Sequence, residues 1–224
     1  MSYPSTEIEL RGGFLSKILY ENEIFYLVSK PAGLPVHETK DPKRPDLTRL
    51  ISEHLKTPVL RCVNRLDLGT SGIVMLGKPQ ANNQLLDVIL SFAKKSYLFL
   101  AKGIPDWDQT RFECFLKDGN KKCSIVRSGG KKAITDFRVL KKGDGIYLGQ
   151  ADLVTGRRHQ IRISLSALGF PILGDIVYGD LDSKEERMFL HACSFQFEWN
   201  STLIKITDPL PSLFDRRLIR KAKI

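Results

Sequence analysis

Paired cysteines and long apolar runs are both missing from this chain, and each absence narrows its chemistry. Cys62, Cys114, Cys123 and Cys193 form no C-x-x-C pair, so free thiols are expected and a zinc site is not. No stretch approaches the roughly 20 apolar residues of a bilayer-spanning helix. The segment from Met1 to Gly13 lacks the basic start and apolar centre of a secretory signal. The expectation is a cytoplasmic protein with no membrane partner. His37, His54, His159 and His191 are scattered without metal-ligand spacing, and no Gly-x-Gly-x-x-Gly marks a dinucleotide site. Gly72-x-x-x-x-Gly77-Lys78 imitates a phosphate loop, but Pro79 stands where Ser or Thr would bind magnesium, and Ile73 to Leu76 read as a buried strand. Ser71 lacks the second glycine of a nucleophile elbow. An enzyme built on this chain is expected to use no cofactor and no metal.

Positive charge is what the chain has in excess. Its 224 residues carry 35 Lys and Arg against 25 Asp and Glu, a net charge of +10. A polyanion is the natural partner for such a balance, because each neutralised phosphate releases counterions. A solvated basic surface is the plain alternative. The charge is clustered: Lys117 to Lys142 holds nine Lys or Arg and two acidic residues. Within it, Arg127 to Lys132 reads as a flexible basic loop broken by Gly129-Gly130. A second cluster, Arg216, Arg217, Arg220, Lys221 and Lys223, closes the chain.

Short apolar runs bounded by turn residues predict strands at Ile24 to Ser29, Gly72 to Leu76, Tyr97 to Ala101 and Met188 to Trp199. Ala133 to Leu140 and Ile146 to Leu153 flank Gly143-Asp144-Gly145 as a hairpin. Helices are expected at Thr48 to Leu55, at Gln80 to Lys94 with Leu85, Ile89 and Phe92 on one face, and at His159 to Leu168 with Gly169 as the stop. Strands with interspersed helices indicate α+β with a mostly antiparallel sheet. One catalytic domain over residues 1–224 is expected.

Three segments carry candidate chemistry. The first is Arg61-Cys62-Val63-Asn64-Arg65-Leu66-Asp67, a polar turn leading into a buried strand; alone it reads as an ion-paired turn. The second is Lys95-Ser96-Tyr97, where the tyrosine alone reads as a core residue. In the third, Thr155 to Arg162 followed by Gly169 to Asp175, basic residues open a helix whose N-terminus disfavours cations unless an anion is near.

Together these segments resemble, in order and spacing, the RluA-type family of pseudouridine synthases. Lys30-Pro31-Ala32-Gly33 and Phe189-Leu190-His191-Ala192 resemble flanking motifs of that family, so five motifs lie in register from about Ile24 to Phe197. The resemblance implies a mixed, mainly antiparallel sheet with flanking helices and a central catalytic cleft, working without cofactor or metal. Asp67 matches the catalytic aspartate, and Tyr97 the tyrosine that packs on uracil. Arg162 matches the arginine paired with the aspartate, Arg65 the one that enters the RNA stack, and Leu190 an apolar wall. Asn64 stands where the family usually has His, and Arg158 where Thr is usual. Only about 23 residues precede the first motif, so no N-terminal S4 domain, which the family's larger members often carry, is expected.

The implied reaction converts uridine to pseudouridine in structured RNA, tRNA or rRNA, with a monomeric enzyme as the default. The N1–C1′ bond breaks, the base turns, and C5 joins C1′, so an isomerase needs one carboxylate where a glycoside hydrolase normally needs two. A duplexed uridine must first be flipped out. Asn64, Arg157, His159, Lys131 and Lys132 are expected to contact the substrate. Arg162→Met is expected to abolish turnover with the fold largely intact. Two other readings stay open: a non-catalytic RNA-binding or ribosome-assembly protein on the same fold, and a nucleoside or glycoside hydrolase.

Overall fold

The computed structural model describes residues 5–41, 43–181 and 183–219. Arg220, Lys221 and Lys223 of the C-terminal basic cluster lie outside them. In chain order the elements are β1 (Thr6–Leu10), β2 (Phe14–Glu21), β3 (Phe25–Lys30), α1 (Leu47–Leu55), β4 (Arg61–Cys62), β5 (Ser71–Gly77), α2 (Asn83–Phe92), β6 (Lys94–Lys102), β7 (Gln109–Lys117), β8 (Ser124–Val126), β9 (Lys131–Lys142), β10 (Ile146–Leu153), α3 (Gln160–Ala167), β11 (Leu190–Trp199), β12 (Thr202–Thr207) and α4 (Ser212–Ile219). Two compact units result, Met1–Lys95 with Ala192–Pro209 and Ser96–His191 with Leu210–Ile224. Strand pairing is mostly antiparallel, as expected of the α+β class. No helix among the described residues is long and apolar enough to cross a membrane.

In the first unit the strand order is β1-β2-β3-β5-β11, with β12 on β11 and β4 on β5. Every residue of β5 is buried because apolar clusters lie on both faces of it. Ile73 and Met75 join Phe25, Leu27, Leu86, Ile89 and Phe195 on one side. Val74 and Leu76 join Val28, Leu34, Leu47, Leu50 and Ile51 on the other. That double cover produces the unbroken apolar run that imitates a phosphate loop in the sequence. Helix α1 is capped by Asp46, whose side chain accepts the Arg49 amide, and its buried Leu47, Leu50 and Ile51 follow helical spacing.

Helix α2 differs from its expected form at both ends and in its buried face. The Asn82 side chain caps it by accepting the Gln84 and Leu85 amides, so it starts at Asn83. It ends at Phe92, and Lys94 already belongs to β6. Leu86 and Ile89 form its buried face, whereas Phe92 is 83 % exposed.

In the second unit the order is β6-β10-β9-β7-β8. The hairpin β9–β10 turns at Gly143 to Gly145 and carries a bulge between Leu148 and Gly149. The basic loop predicted over Arg127 to Lys132 is shorter than expected. β9 starts at Lys131, and Lys131 and Lys132 pair with Leu116 and Phe115 of β7. All nine basic residues from Lys117 to Lys142 are exposed. Helix α3 is anchored on β9 by Gln160, whose amide donates to the Ile134 carbonyl (2.9 Å) and the Thr135 hydroxyl (2.8 Å).

Candidate active site

Asp67 lies half-buried on the loop between β4 and β5, and three sets of bonds fix that loop. The ladder Arg61↔Gly77 and Cys62↔Leu76 is extended by the Val63 amide on the Met75 carbonyl at 3.1 Å. Asn64 then supplies a side-chain rung, its Oδ1 accepting the Met75 amide at 2.7 Å. The Thr70 amide closes a turn onto the Asp67 carbonyl at 3.0 Å. Arg65, between these anchors, is exposed.

The third set comes from Lys30, a residue for which the sequence reading gave no role. Register Lys30↔Gly72 brings the end of β3 beside the start of β5. The Lys30 side chain is fully buried, and its ammonium donates to the carbonyls of Pro31 (2.9 Å), Leu34 (2.7 Å) and Leu68 (3.3 Å). The Gly33 amide donates to the same Leu68 carbonyl at 2.8 Å. A buried ammonium is tolerated only when such acceptors surround it, so this cation ties the residue after Asp67 to the Lys30–Leu34 segment. Gly72 is also required: its φ is +110°, and a Cβ there would lie 2.3 Å from the Ala192 carbonyl oxygen.

In the second unit, Arg162 projects from α3 and is 7 % exposed. It forks onto Asp175, Nε to Oδ2 at 2.7 Å and Nη2 to Oδ1 at 2.9 Å. The Val177 and Tyr178 amides also donate to Asp175 Oδ1, at 2.9 and 3.2 Å. Burial works to raise the Asp175 pKa, but the Arg162 fork and charge and the two amides outweigh it and hold the carboxyl below its ordinary value. Asp175 thus has a specific structural role: it orients Arg162. Arg162→Met would strand this buried carboxylate, so its expected effect extends from turnover to stability.

Tyr97 is buried in β6, and Leu190, 3 % exposed, starts β11. His159 caps α3 in a left-handed conformation (φ 55°) with Nδ1 3.0 Å from the Tyr178 hydroxyl. Exposed Arg157 donates from Nε to the Lys132 carbonyl at 3.1 Å, which brings Arg157, Lys131 and Lys132 together. Lys132 also pairs with Glu113 at 2.9 Å. Asn64, Arg65 and Asp67 form one group in the first unit; Arg157, His159 and Arg162 form another on and just before α3 in the second.

The signature of the RNA pseudouridylate synthases matches residues 24–167, more than half of the chain. The chain belongs to that family. It is an RNA pseudouridine synthase, an isomerase, of the RluA type that its motifs resemble. An uncharacterized RNA pseudouridine synthase of Haemophilus influenzae is 29% identical over 194 residues, covering 85% of this chain and 86% of that protein. The ribosomal large subunit pseudouridine synthase C of Vibrio parahaemolyticus is 31% identical over 238 residues, covering 98% of this chain and 74% of its own length. For a Bacillus subtilis RNA pseudouridine synthase, 31% identical over 198 residues, the match covers 80% of this chain and only 63% of the relative. Human RNA pseudouridylate synthase domain containing 4 shares the fold, with a TM-score of 0.74 at 21% identity over 90% of this chain and 91% of its own.

Proposed function

We propose that this pseudouridine synthase isomerises a uridine in structured ribosomal RNA, with Asp67 as its catalytic carboxylate. The observation that carries the reading is the rigid mounting of Asp67, on a loop held by Asn64, Thr70 and the buried Lys30. Placing a reactive group on a fixed loop removes the ordering cost from the chemical step. An ionised Asp67 attacks C1′ or stabilises its cationic character as the N1–C1′ bond breaks. The base turns, C5 bonds to C1′ and loses its proton, and N1 takes one up.

Tyr97 offers an aromatic face to the flipped uracil, worth about 1–3 kcal/mol by stacking. Arg162, held in one orientation by Asp175, takes the role of the catalytic arginine that the family resemblance implies. Arg65, exposed on the catalytic loop, fills the space left by the flipped nucleotide, which costs a few kcal/mol to extract. Leu190 offers an apolar contact to the flipped base, the role that the family resemblance implies. The exposed cations of residues 117–142, Lys131 and Lys132 among them, with Arg157 and His159, grip phosphates. The ribosomal name of the Vibrio parahaemolyticus relative favours rRNA over tRNA.

The test is release of tritium from C5 of labelled uridine in large-subunit rRNA and tRNA transcripts. Release from rRNA alone supports the reading. Release from tRNA alone overturns the substrate, and binding without release from any transcript favours the non-catalytic alternative.

A further inference from the structure

The turn between β7 and β8 carries exposed Lys121 and Lys122, with exposed Lys117 at its entry, and it is fastened to the start of α3. The Cys123 amide donates to the Tyr178 hydroxyl at 2.7 Å, and that hydroxyl returns to the Cys123 carbonyl at 3.3 Å. Arg158 donates from Nη1 to the Gly119 carbonyl at 2.8 Å and from Nη2 to the Lys121 carbonyl at 3.2 Å. The Cys123 sulfur lies 3.2 Å from Asp118 Oδ1 and 3.3 Å from the Arg158 carbonyl oxygen, the two acceptors open to its one proton. Beneath the turn, Cys123 packs with Leu116, Ala133, Ile163 and Tyr178. The turn is tight: a Cβ on Gly119 would lie 2.6 Å from the Lys122 carbonyl oxygen.

Two features set this fastening apart from ordinary packing. Arg158, a surface cation in a protein that binds a polyanion, directs its guanidinium at backbone carbonyls of the lysine-bearing turn. Tyr178 also reaches in the opposite direction. Its amide bonds Asp175, its carbonyl accepts the Ser166 hydroxyl at 2.6 Å, and its ring lies 5.2 Å from the Arg162 guanidinium carbon. One residue therefore joins the buried Arg162–Asp175 fork to the turn. Burial pushes the Tyr178 phenol up to about 12, so it stays protonated and able to donate.

We propose that Tyr178 and Arg158 are positioning residues that latch the 118–123 turn to α3, so that its lysines meet RNA phosphates already in place. This rests on the reading that the exposed cations of residues 117–142 grip RNA. A latched turn binds with less ordering cost than a loose one, so loss of the latch raises KM and leaves the chemical step alone.

The experiment compares Tyr178→Phe, Arg158→Ala and the charge reversal Lys121→Glu/Lys122→Glu in the full chain, with tritium-release kinetics on the RNA substrate and amide hydrogen exchange. The latch predicts a KM raised about fivefold in the first two variants, the scale of one lost hydrogen bond, with kcat within about twofold. It also predicts faster exchange at the Cys123 amide and its neighbours, with β10 amides unchanged. A normal KM in Arg158→Ala, a fall in kcat in place of a rise in KM, or faster exchange across the whole second unit overturns the latch. Because Arg158 is exposed, its variant decides the matter even where Tyr178→Phe does not fold. If the charge reversal raises KM and the latch variants do not, only the latch is wrong. If the charge reversal itself leaves KM unchanged, the turn does not grip RNA, and the latch falls with that reading.

Discussion

Arg162 and Asp175 meet as a closed fork, with two bonds of 2.7 and 2.9 Å between side chains that are 8 % and 1 % exposed. Removing one partner leaves the other charged and buried, which costs about 3–5 kcal/mol. Arg162→Met is therefore expected to lower the unfolding free energy by about that much as well as to abolish turnover. Arg162→Met/Asp175→Asn, which keeps an acceptor for the Val177 and Tyr178 amides without the charge, should regain part of the stability and none of the activity. Urea unfolding and tritium release separate the two effects; recovery of activity in the double variant contradicts a catalytic role for Arg162.

The same pair sets an acid limit. The Asp175 carboxyl is held below its ordinary value in the folded chain, so the unfolded state binds the proton more readily. Its contribution to stability is complete above the unfolded carboxyl's pKa of about 3.9 and is lost as pH falls through the lower folded value. Urea midpoints between about pH 6 and pH 2 should fall more steeply for the wild type than for Asp175→Asn. Parallel curves would remove Asp175 from the acid transition.

Asn64, which departs from the family pattern, is explained by its bond to the Met75 amide. Asn64→Ala leaves that amide without its acceptor, at a cost of about 1–3 kcal/mol, and loosens the loop before Asp67. The expected result is a fall in kcat with a smaller change in KM. A KM effect alone would make Asn64 a substrate contact and not a loop anchor.

Lys30→Met places an apolar side chain among three carbonyls that now share one ammonium. Destabilisation of about 1–3 kcal/mol is expected, with slower turnover and RNA affinity unchanged. Denaturant midpoints and filter binding check the two parts; weaker RNA binding with normal turnover would mean that Lys30 does not act through the Asp67 loop.

Much of this was legible in the residues themselves. The strand around Val74 is apolar on both faces, and the hairpin turning at Gly143 to Gly145 announces itself by its glycines. β7 was not read: Thr110, Phe112, Cys114 and Leu116 alternate with exposed residues, but the charges between them hide the pattern. The start of α2 depends on which side-chain oxygen caps it, and Asn82 is one of several polar residues there. The lines to Lys30, Asp175 and Tyr178 were not visible, since their bonds to Leu68, Arg162 and Cys123 span 38, 13 and 55 residues. Such contacts follow from strand register and loop closure, which no local pattern encodes.

The most direct test of the account is Asp67→Ala, assayed for both RNA binding and C5 tritium release on the same transcript. The account predicts affinity within about twofold of wild type, since the phosphate-gripping residues are untouched, and no release above background. Release at the wild-type rate would contradict it, because the reaction would then not depend on the Asp67 carboxylate.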